Sequence, residues 1–263
     1  MIFLTITPNI FQIYCFKNLN KIKKLFSLKN YQKLYGIFSR KEIDDEFISW
    51  LLFVNAGMID KGNIYVFDYV IRNLRSTKPI VEIGSFCGLS LNILNYLLRK
   101  YSKTNNLFSA DPWIFEGYNE NSRIGDSQIE FKEYRKFVLD SFRRNLKFFS
   151  NKNLPHTIEA TSDKFFEIWD QGKEVKDIFG QVANLGGEIS FCYIDGNHEF
   201  EFAKKDYLNA SRKLEIGGFI LFDDSFDGGS FGSGINLMKV VKKDKRFELV
   251  MKNPNYLFKK ISH

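Results

Sequence analysis

Pro79-Ile80-Val81-Glu82-Ile83-Gly84-Ser85-Phe86-Cys87-Gly88-Leu89-Ser90 decides how the rest of this chain is read. A short apolar strand runs into an acid, Glu82, then into a turn holding Gly84 and Gly88, then into a helical run from Leu91 to Tyr101. A strand that ends in a glycine turn and feeds a helix leaves backbone N–H groups free at the carboxyl edge of a sheet, where α/β proteins bind ligands. Glycine is required where the backbone takes positive φ or approaches a ligand with no Cβ between them.

Outward from that stretch, strand and helix alternate. Asn106–Ala110 reads as a strand ending at Asp111, and Thr157–Glu159 as a short strand leading through Thr161-Ser162 into a helix over Asp163–Trp169. Ile189–Ile194 is a near-continuous apolar run, as a parallel strand buried on both faces requires, and it ends at Asp195-Gly196-Asn197-His198. A helix over Glu201–Leu214 follows, then a Gly217-Gly218 turn into a strand Phe219–Phe222 that ends at Asp223-Asp224. Phe247–Met251 and Tyr256–Lys260 flank the turn Lys252-Asn253-Pro254-Asn255 as a hairpin. The expected fold is α/β: a Rossmann-like, doubly wound, mostly parallel sheet with an antiparallel C-terminal hairpin.

Upstream, Ile43, Phe47, Trp50, Leu51 and Val54 recur on one helical face, and a second helix is expected over Ile64–Leu74. The loop Asn55–Asn63 between them either reaches the pocket or is a plain connection. Residues 1–75 are thus expected to form a basic, helical extension or cap, and 76–263 the ligand-binding domain. Within the latter, 114–154 is longer than a crossover needs and rich in charged and aromatic side chains; it reads as a substrate lid or wall, or as an added helix pair.

Charge separates the two parts. The chain has 263 residues and a net charge of +7, yet residues 1–41 hold Lys17, Lys21, Lys23, Lys24, Lys29, Lys33, Arg40 and Lys41 and no acid. The body is close to neutral, so a basic cleft for nucleic acid is not expected. The segment 17–41 has two readings: a basic amphipathic helix for peripheral contact with an anionic membrane or a partner, or a cap or homodimer contact. Asn30 and Gly36 interrupt the helical pattern and favour the second. The apolar start Met1–Phe16 lacks a preceding basic region and a small-residue cleavage site, and is too short to span a bilayer. Cys15, Cys87 and Cys192 lie far apart with no disulfide or metal-ligand spacing, so a cytoplasmic location is expected.

The acids sit where strands end: Glu82, Asp111, Asp195, Asp223 and Asp224. Strands of a parallel sheet end on one rim, and carboxylates gathered there repel one another unless a cation or hydrogen-bond donors meet them. Asp111, after the second strand, stands where a carboxylate accepts from ribose hydroxyls. Asp195, Asp223 and Asp224 are hard oxygen ligands of the kind Mg²⁺ takes. The turn is Glu82-x-Gly84-x-x-x-Gly88, with Ser85 where the glycine of a Gly-x-Gly pattern would be needed. Glu82 would repel a pyrophosphate and suits a cofactor carrying an ammonium group.

With Glu-Ile-Gly-Ser-Phe-Cys-Gly-Leu-Ser (82–90), Tyr-Ile-Asp-Gly-Asn-His-Glu-Phe (193–200) and Leu-Glu-Ile-Gly-Gly-Phe-Ile-Leu-Phe-Asp-Asp-Ser (214–225), the chain resembles the class I S-adenosylmethionine-dependent methyltransferases. The likeness is to metal-dependent O-methyltransferases of the catechol type and to bacterial relatives that modify sugars and antibiotics, and it covers roughly Pro79–Lys260 without the insertion. It implies S-adenosylmethionine as cofactor, with Glu82, Gly84, Ser85, Gly88 and Ser90 around its methionine end, Asp111 at the ribose and Ser162 near the adenine. It implies a divalent metal, Mg²⁺, on Asp195, Asp223 and Asp224. Asp195 is also counted with the cofactor-binding and catalytic residues, and His198 takes the place of the family's base. His198 is then expected to accept the proton of an acceptor hydroxyl. The acceptor is expected to be a small or glycan-type molecule. Two other readings stand beside this one: a nicotinamide-dependent oxidoreductase, which the absent Gly-x-Gly disfavours, and a non-catalytic adaptor of a glycan-assembly system. The carboxylate cluster disfavours the adaptor, because an idle site has no reason to keep it. His156 reads as a strand-entry residue, Cys87 as a small packed hydrophobe, and Gly228–Gly234 as a mobile loop over the site, with Asp227 beside it.

Overall fold

A computed structural model describes residues 40–115, 122–227 and 236–263. The proposals for segment 17–41, except Arg40 and Lys41, and for the Gly228–Gly234 loop lie outside the described residues, as does part of the 114–154 insertion.

The elements are α1 (Glu46–Val54), α2 (Lys61–Asn73), β1 (Ile80–Ile83), α3 (Leu89–Lys100), β2 (Leu107–Ala110), α4 (Phe131–Phe149), β3 (His156–Ile158), α5 (Ser162–Asp170), β4 (Glu174–Lys176), β5 (Val182–Asn184), β6 (Ile189–Ile194), α6 (Phe200–Lys213), β7 (Leu214–Phe222), α7 (Met238–Val241), β8 (Phe247–Lys252) and β9 (Tyr256–Lys260). Seven strands form one sheet in the order β3-β2-β1-β6-β7-β9-β8, and β4-β5 form a separate antiparallel pair. The pairs β3-β2, β2-β1, β1-β6 and β6-β7 are parallel, while β9 runs antiparallel to both β7 and β8. This is the expected doubly wound sheet with its closing hairpin.

Side chains alternate across each strand, so each strand supplies both faces of the sheet. Ile80, Phe191, Tyr193 and Leu221 join a core with α1, α2, α3 and α4. Val81, Cys192, Ile194 and Ile220 join a second core with α5 and α6. The helices start where short polar side chains satisfy their first N–H groups. Asp45 Oδ1 accepts from Ile48 N (3.0 Å) ahead of α1, and Asp60 Oδ1 accepts from Gly62 N (2.6 Å) ahead of α2. Gly62 sits against the β8–β9 turn, where a Cβ would overlap the Asn253 carbonyl. Among the described residues, no helix is long and apolar enough to cross a membrane.

Three local expectations are corrected. Gly217-Gly218 is not a turn before β7 but lies within it, at an irregularity in its pairing with β6: the register passes from Ile189↔Leu214 to Phe191↔Phe219. Gly217, at φ +91, takes up the extra chain length. In α1 the buried residues are Ile48 and Leu51, whereas Trp50 and Val54 stand 49% and 41% exposed. The insertion forms not a helix pair but the single helix α4 among the described residues, and its buried face (Val138, Leu139, Phe142, Leu146) packs on the back of the glycine turn.

Candidate cofactor and metal site

The order reverses between β1 and β6: from β1 the sheet runs to β2 and β3 on one side, and to β6 and β7 on the other. A crevice opens at the carboxyl ends at such a switch point. Gly84 N donates to Ala110 O (2.9 Å) and Asp195 N to Ile83 O (2.8 Å), so the ends of β2, β1 and β6 are laced together. Gly84 has φ +85, and a Cβ there would overlap the Asp195 carbonyl. Gly88, at φ +81, caps α3 and presses against Leu146 and Phe142 of α4. The carbonyl of Cys87 accepts from two amide side chains, Asn55 Nδ2 (3.2 Å) and Asn145 Nδ2 (2.9 Å). The loop before α2 therefore does reach this turn.

Glu82 ends up fully buried beneath the turn. Its Oε1 accepts from Ser90 Oγ (2.9 Å). Burial pushes its pKa up to about 8, against the opposing effect of the Ser90 hydroxyl and with a further push from Asp111. Glu82 Oε2 and Ser85 Oγ are the buried side-chain polar atoms that find no hydrogen-bond partner among the described residues. A buried polar atom left unpaired costs about 1–3 kcal/mol. A ligand bringing a cationic N–H donor would remove that cost, so the residues present fit the ammonium end of S-adenosylmethionine.

Asp111 stands beside the turn, and its oxygens are well used. Oδ2 accepts from Ser85 N (2.7 Å) and Phe86 N (3.0 Å), and Oδ1 from Trp113 N (2.6 Å). Burial raises its pKa and these three backbone donors oppose the rise. The same bonds occupy two turn N–H groups that a pyrophosphate would need, a second reason beside Glu82 why a dinucleotide does not suit this turn. Oδ1, with one donor, keeps acceptor capacity for a hydroxyl. Ser162 opens α5 behind the Thr161 cap, and Asp206 of α6 carries a carboxyl that burial pushes up to about 6. Asp206 was not foreseen; the signal was an acid between Ala203, Tyr207 and Ala210 on the buried stripe of α6.

On the other side of β6, ligand atoms of Asp195, His198 and Asp223 all lie within 4.8 Å of one another. Asp224 stands outside that group, though its Oδ2 is 3.6 Å from His198 Nε2, which is itself 3.9 Å from Asp195 Oδ1. Asp224 has φ +48, a left-handed conformation that Asp adopts more readily than most non-glycine residues. Burial, then the neighbouring Asp223, raises the Asp195 pKa well above the ordinary carboxylate range. Burial and Asp224 also raise that of Asp223. Two crowded carboxylates and an imidazole are a donor set that a divalent cation fits, since it would replace their repulsion with attraction. Asp223 Oδ1 accepts from Asn63 Nδ2 and Asn255 Nδ2, two residues that read in the sequence as the end of a loop and a turn.

The remaining residues are placed as follows. His156 opens β3 with Nδ1 3.2 Å from Asp177 Oδ2. Cys87 is buried, and burial pushes its thiol up to about 11, as suits a packed hydrophobe. Asp227 accepts from the Tyr256 hydroxyl (2.5 Å) and pairs with Lys252, which ties it to the hairpin.

The sequence profile of a methyltransferase domain family matches residues 81–225, just over half of the chain. An uncharacterized protein of Acanthamoeba polyphaga mimivirus is 26% identical over 164 residues, 60% of this chain and 59% of the relative. The chain thus spans about three fifths of the length of that curated relative. The fold is similar to that of an O-methyltransferase from Bacillus cereus in complex with SAH, with 13% identity, coverage of 84% of this chain and 92% of that one, and a TM-score of 0.53. It is similar also to a SAH-bound methyltransferase of Podospora anserina (15%, 90% and 97%, TM-score 0.53). The O-methyltransferase TomG of Streptomyces achromogenes, in complex with SAM, compares at 10%, 89% and 96%, with a TM-score of 0.52. At these identities the likeness to solved structures is one of fold.

Proposed function

Because this chain belongs to the methyltransferase domain family, we propose that it is an S-adenosylmethionine-dependent O-methyltransferase that acts, with a divalent metal such as Mg²⁺, on a hydroxyl of a small polar or sugar-type acceptor. The observation that carries this is the unpaired Glu82 Oε2 and Ser85 Oγ at the switch point, with Asp195 and His198 following the next strand, β6, and Asp223 following β7 beyond it. When bound, the cofactor supplies an activated methyl group and the cation supplies Lewis acidity at the acceptor oxygen.

The chain's own residues do the rest. Glu82, Ser85 and Ser90 hold the cofactor's ammonium, while Asp111 holds the ribose and Ser162 lies near the adenine. Asp195 and Asp223 hold the cation, with Asp224 adjoining. His198 would accept the proton that the acceptor hydroxyl gives up on methylation. The positive charge left on the ring is faced by Asp224 and Asp195, whose oxygens lie 3.6 and 3.9 Å from Nε2. Positioning of this kind does much of the work in a displacement between two bound molecules.

A second role for His198, as a third ligand to the cation, is favoured by its grouping with Asp195 and Asp223. His198→Ala separates the two. A base accounts for about 10²–10⁴-fold of the rate, so turnover should fall by that much with divalent-cation affinity kept; a ligand would lose the affinity as well. The reading as a whole is tested by calorimetric titration with S-adenosylmethionine, with and without Mg²⁺. Saturable binding is expected, and its absence under both conditions overturns the proposal.

A further inference from the structure

Behind Asp195 and Asp223 runs a closed set of hydrogen bonds whose side chains carry no charge. Asn255 Oδ1 accepts from Ser225 N (2.9 Å), which turns the Asn255 amide nitrogen toward Asn63 Oδ1 and Asp223 Oδ1, each 3.1 Å away. With its own carbonyl so engaged, Asn63 presents Nδ2 to Asp223 Oδ1 and to the Tyr193 hydroxyl (3.3 Å). The Tyr193 hydroxyl, accepting there, donates to Asp195 Oδ2 (3.1 Å). Each bond fixes the sense of the next, and reversing either amide would set a carbonyl oxygen against a carboxylate. Asn63, Asn255 and Tyr193 are all essentially sealed from solvent, at 0%, 1% and 0% exposure.

Buried amides are costly unless every polar atom is met, so apolar side chains would pack these positions with less constraint if only volume were needed. Both amides converge on one oxygen of Asp223, Oδ1. Neither amide is on Oδ2, and ligand atoms of Asp195 and Asp223 lie within 4.8 Å of each other. The donors reach the site from the start of α2 and from the β8–β9 turn, both outside the family match at residues 81–225.

We propose that Asn63, Asn255 and Tyr193 are positioning residues for Asp195 and Asp223, holding one oxygen of each toward a shared divalent cation. This rests on the metal-assisted reading above. Residues that orient metal ligands through hydrogen bonds typically change metal affinity by about 10–100-fold when removed.

The test is titration of the purified full chain with Mn²⁺, and separately with S-adenosylmethionine in chelator, for wild type, Asn63→Ala, Asn255→Ala and Tyr193→Phe, with the thermal midpoint recorded for each. Mn²⁺ affinity is expected to fall about 10–100-fold in each folded variant, while cofactor affinity in chelator stays at the wild-type value; a merely structural role would not separate the two. Tyr193→Phe keeps the ring and its packing, so it decides the matter if either alanine variant fails to fold. Variants that bind Mn²⁺ as tightly as wild type overturn this inference alone. Wild-type protein that takes up S-adenosylmethionine but no Mn²⁺ overturns metal assistance and this inference with it.

Discussion

Glu82 shows how much a single side chain can reveal about a site. Its folded-state pKa is about 8 against an ordinary 4.5, so the native protein keeps a proton that the unfolded chain releases. The stability this contributes is present below pH 4.5 and is lost as pH rises through about 8. At ~1.4 kcal/mol per pH unit, the loss approaches 4–5 kcal/mol as an upper bound. Urea unfolding of the cofactor-free protein at intervals from pH 5 to 9 should therefore show stability falling with pH more steeply than in Glu82→Gln, and above pH 8 the glutamine variant should be the more stable of the two. Parallel pH profiles for the two proteins would remove the buried carboxylate as the cause. A cationic ligand at Oε2 favours the ionised form, so S-adenosylmethionine should bind with proton release below pH 8, measurable as a dependence of binding heat on the buffer's ionisation enthalpy. Glu82 could be picked from the sequence because an acid in a short apolar strand just before a glycine turn has few structural uses. Asn63 and Asn255 could not: a neutral amide at a helix start or after Pro254 looks like a cap or a turn residue, and only the tertiary fold brings the two together.

At the scale of elements, the strands that end in acids were legible because apolar runs four to six residues long, bounded by glycine and acids, leave few alternatives to a buried parallel strand. The β4-β5 pair was not, since Glu174–Lys176 and Val182–Asn184 are three-residue strands with exposed ends and no apolar run to mark them. Nor could the sequence tell which way α4 faces, because an insertion's partner is set by the fold around it. Its role against the glycine turn makes a sharp prediction. Gly88 sits at φ +81, and a Cβ there would overlap the Leu146 side chain. Gly88→Ala combines left-handed strain of roughly 1–2 kcal/mol with overpacking of about 1–3 kcal/mol. A destabilisation of about 2–5 kcal/mol is expected in urea unfolding. Leu146→Ala alone opens a cavity and also destabilises, but the double variant should be less unstable than the sum of the two, because the overlap is gone and only the strain remains. Strict additivity would show that α4 does not press on the turn.

The division expected from the sequence, a cap over 1–75 and a domain over 76–263, is a question about the whole molecule. Charge and the position of the glycine turn both suggested it, yet the packing argues that α1 and α2 are part of the domain. Ile48, Leu51, Ile64, Val66, Phe67, Val70, Ile71 and Leu74 belong to the same core as Ile80, Phe191, Tyr193 and Leu221 of the sheet. Asn253 ties the start of α2 to the far end of the chain, with Nδ2 donating to Gly62 O (3.1 Å) and Lys41 O (2.8 Å). Each buried aliphatic or aromatic side chain contributes about 1.5–3 kcal/mol, so the eight named above stabilise by an amount comparable with the whole net stability of a domain, about 5–15 kcal/mol. Removing them strips that face of the sheet and takes Asn63 from Asp223. A chain beginning at Arg75 keeps every residue of the methyltransferase match and still should show no cooperative thermal transition and no Mn²⁺ or S-adenosylmethionine binding, whereas a chain beginning at Arg40 should keep all three. A cooperative transition near the wild-type midpoint for the shorter chain would establish 76–263 as an independent domain and leave α1 and α2 as the added cap that the sequence suggested.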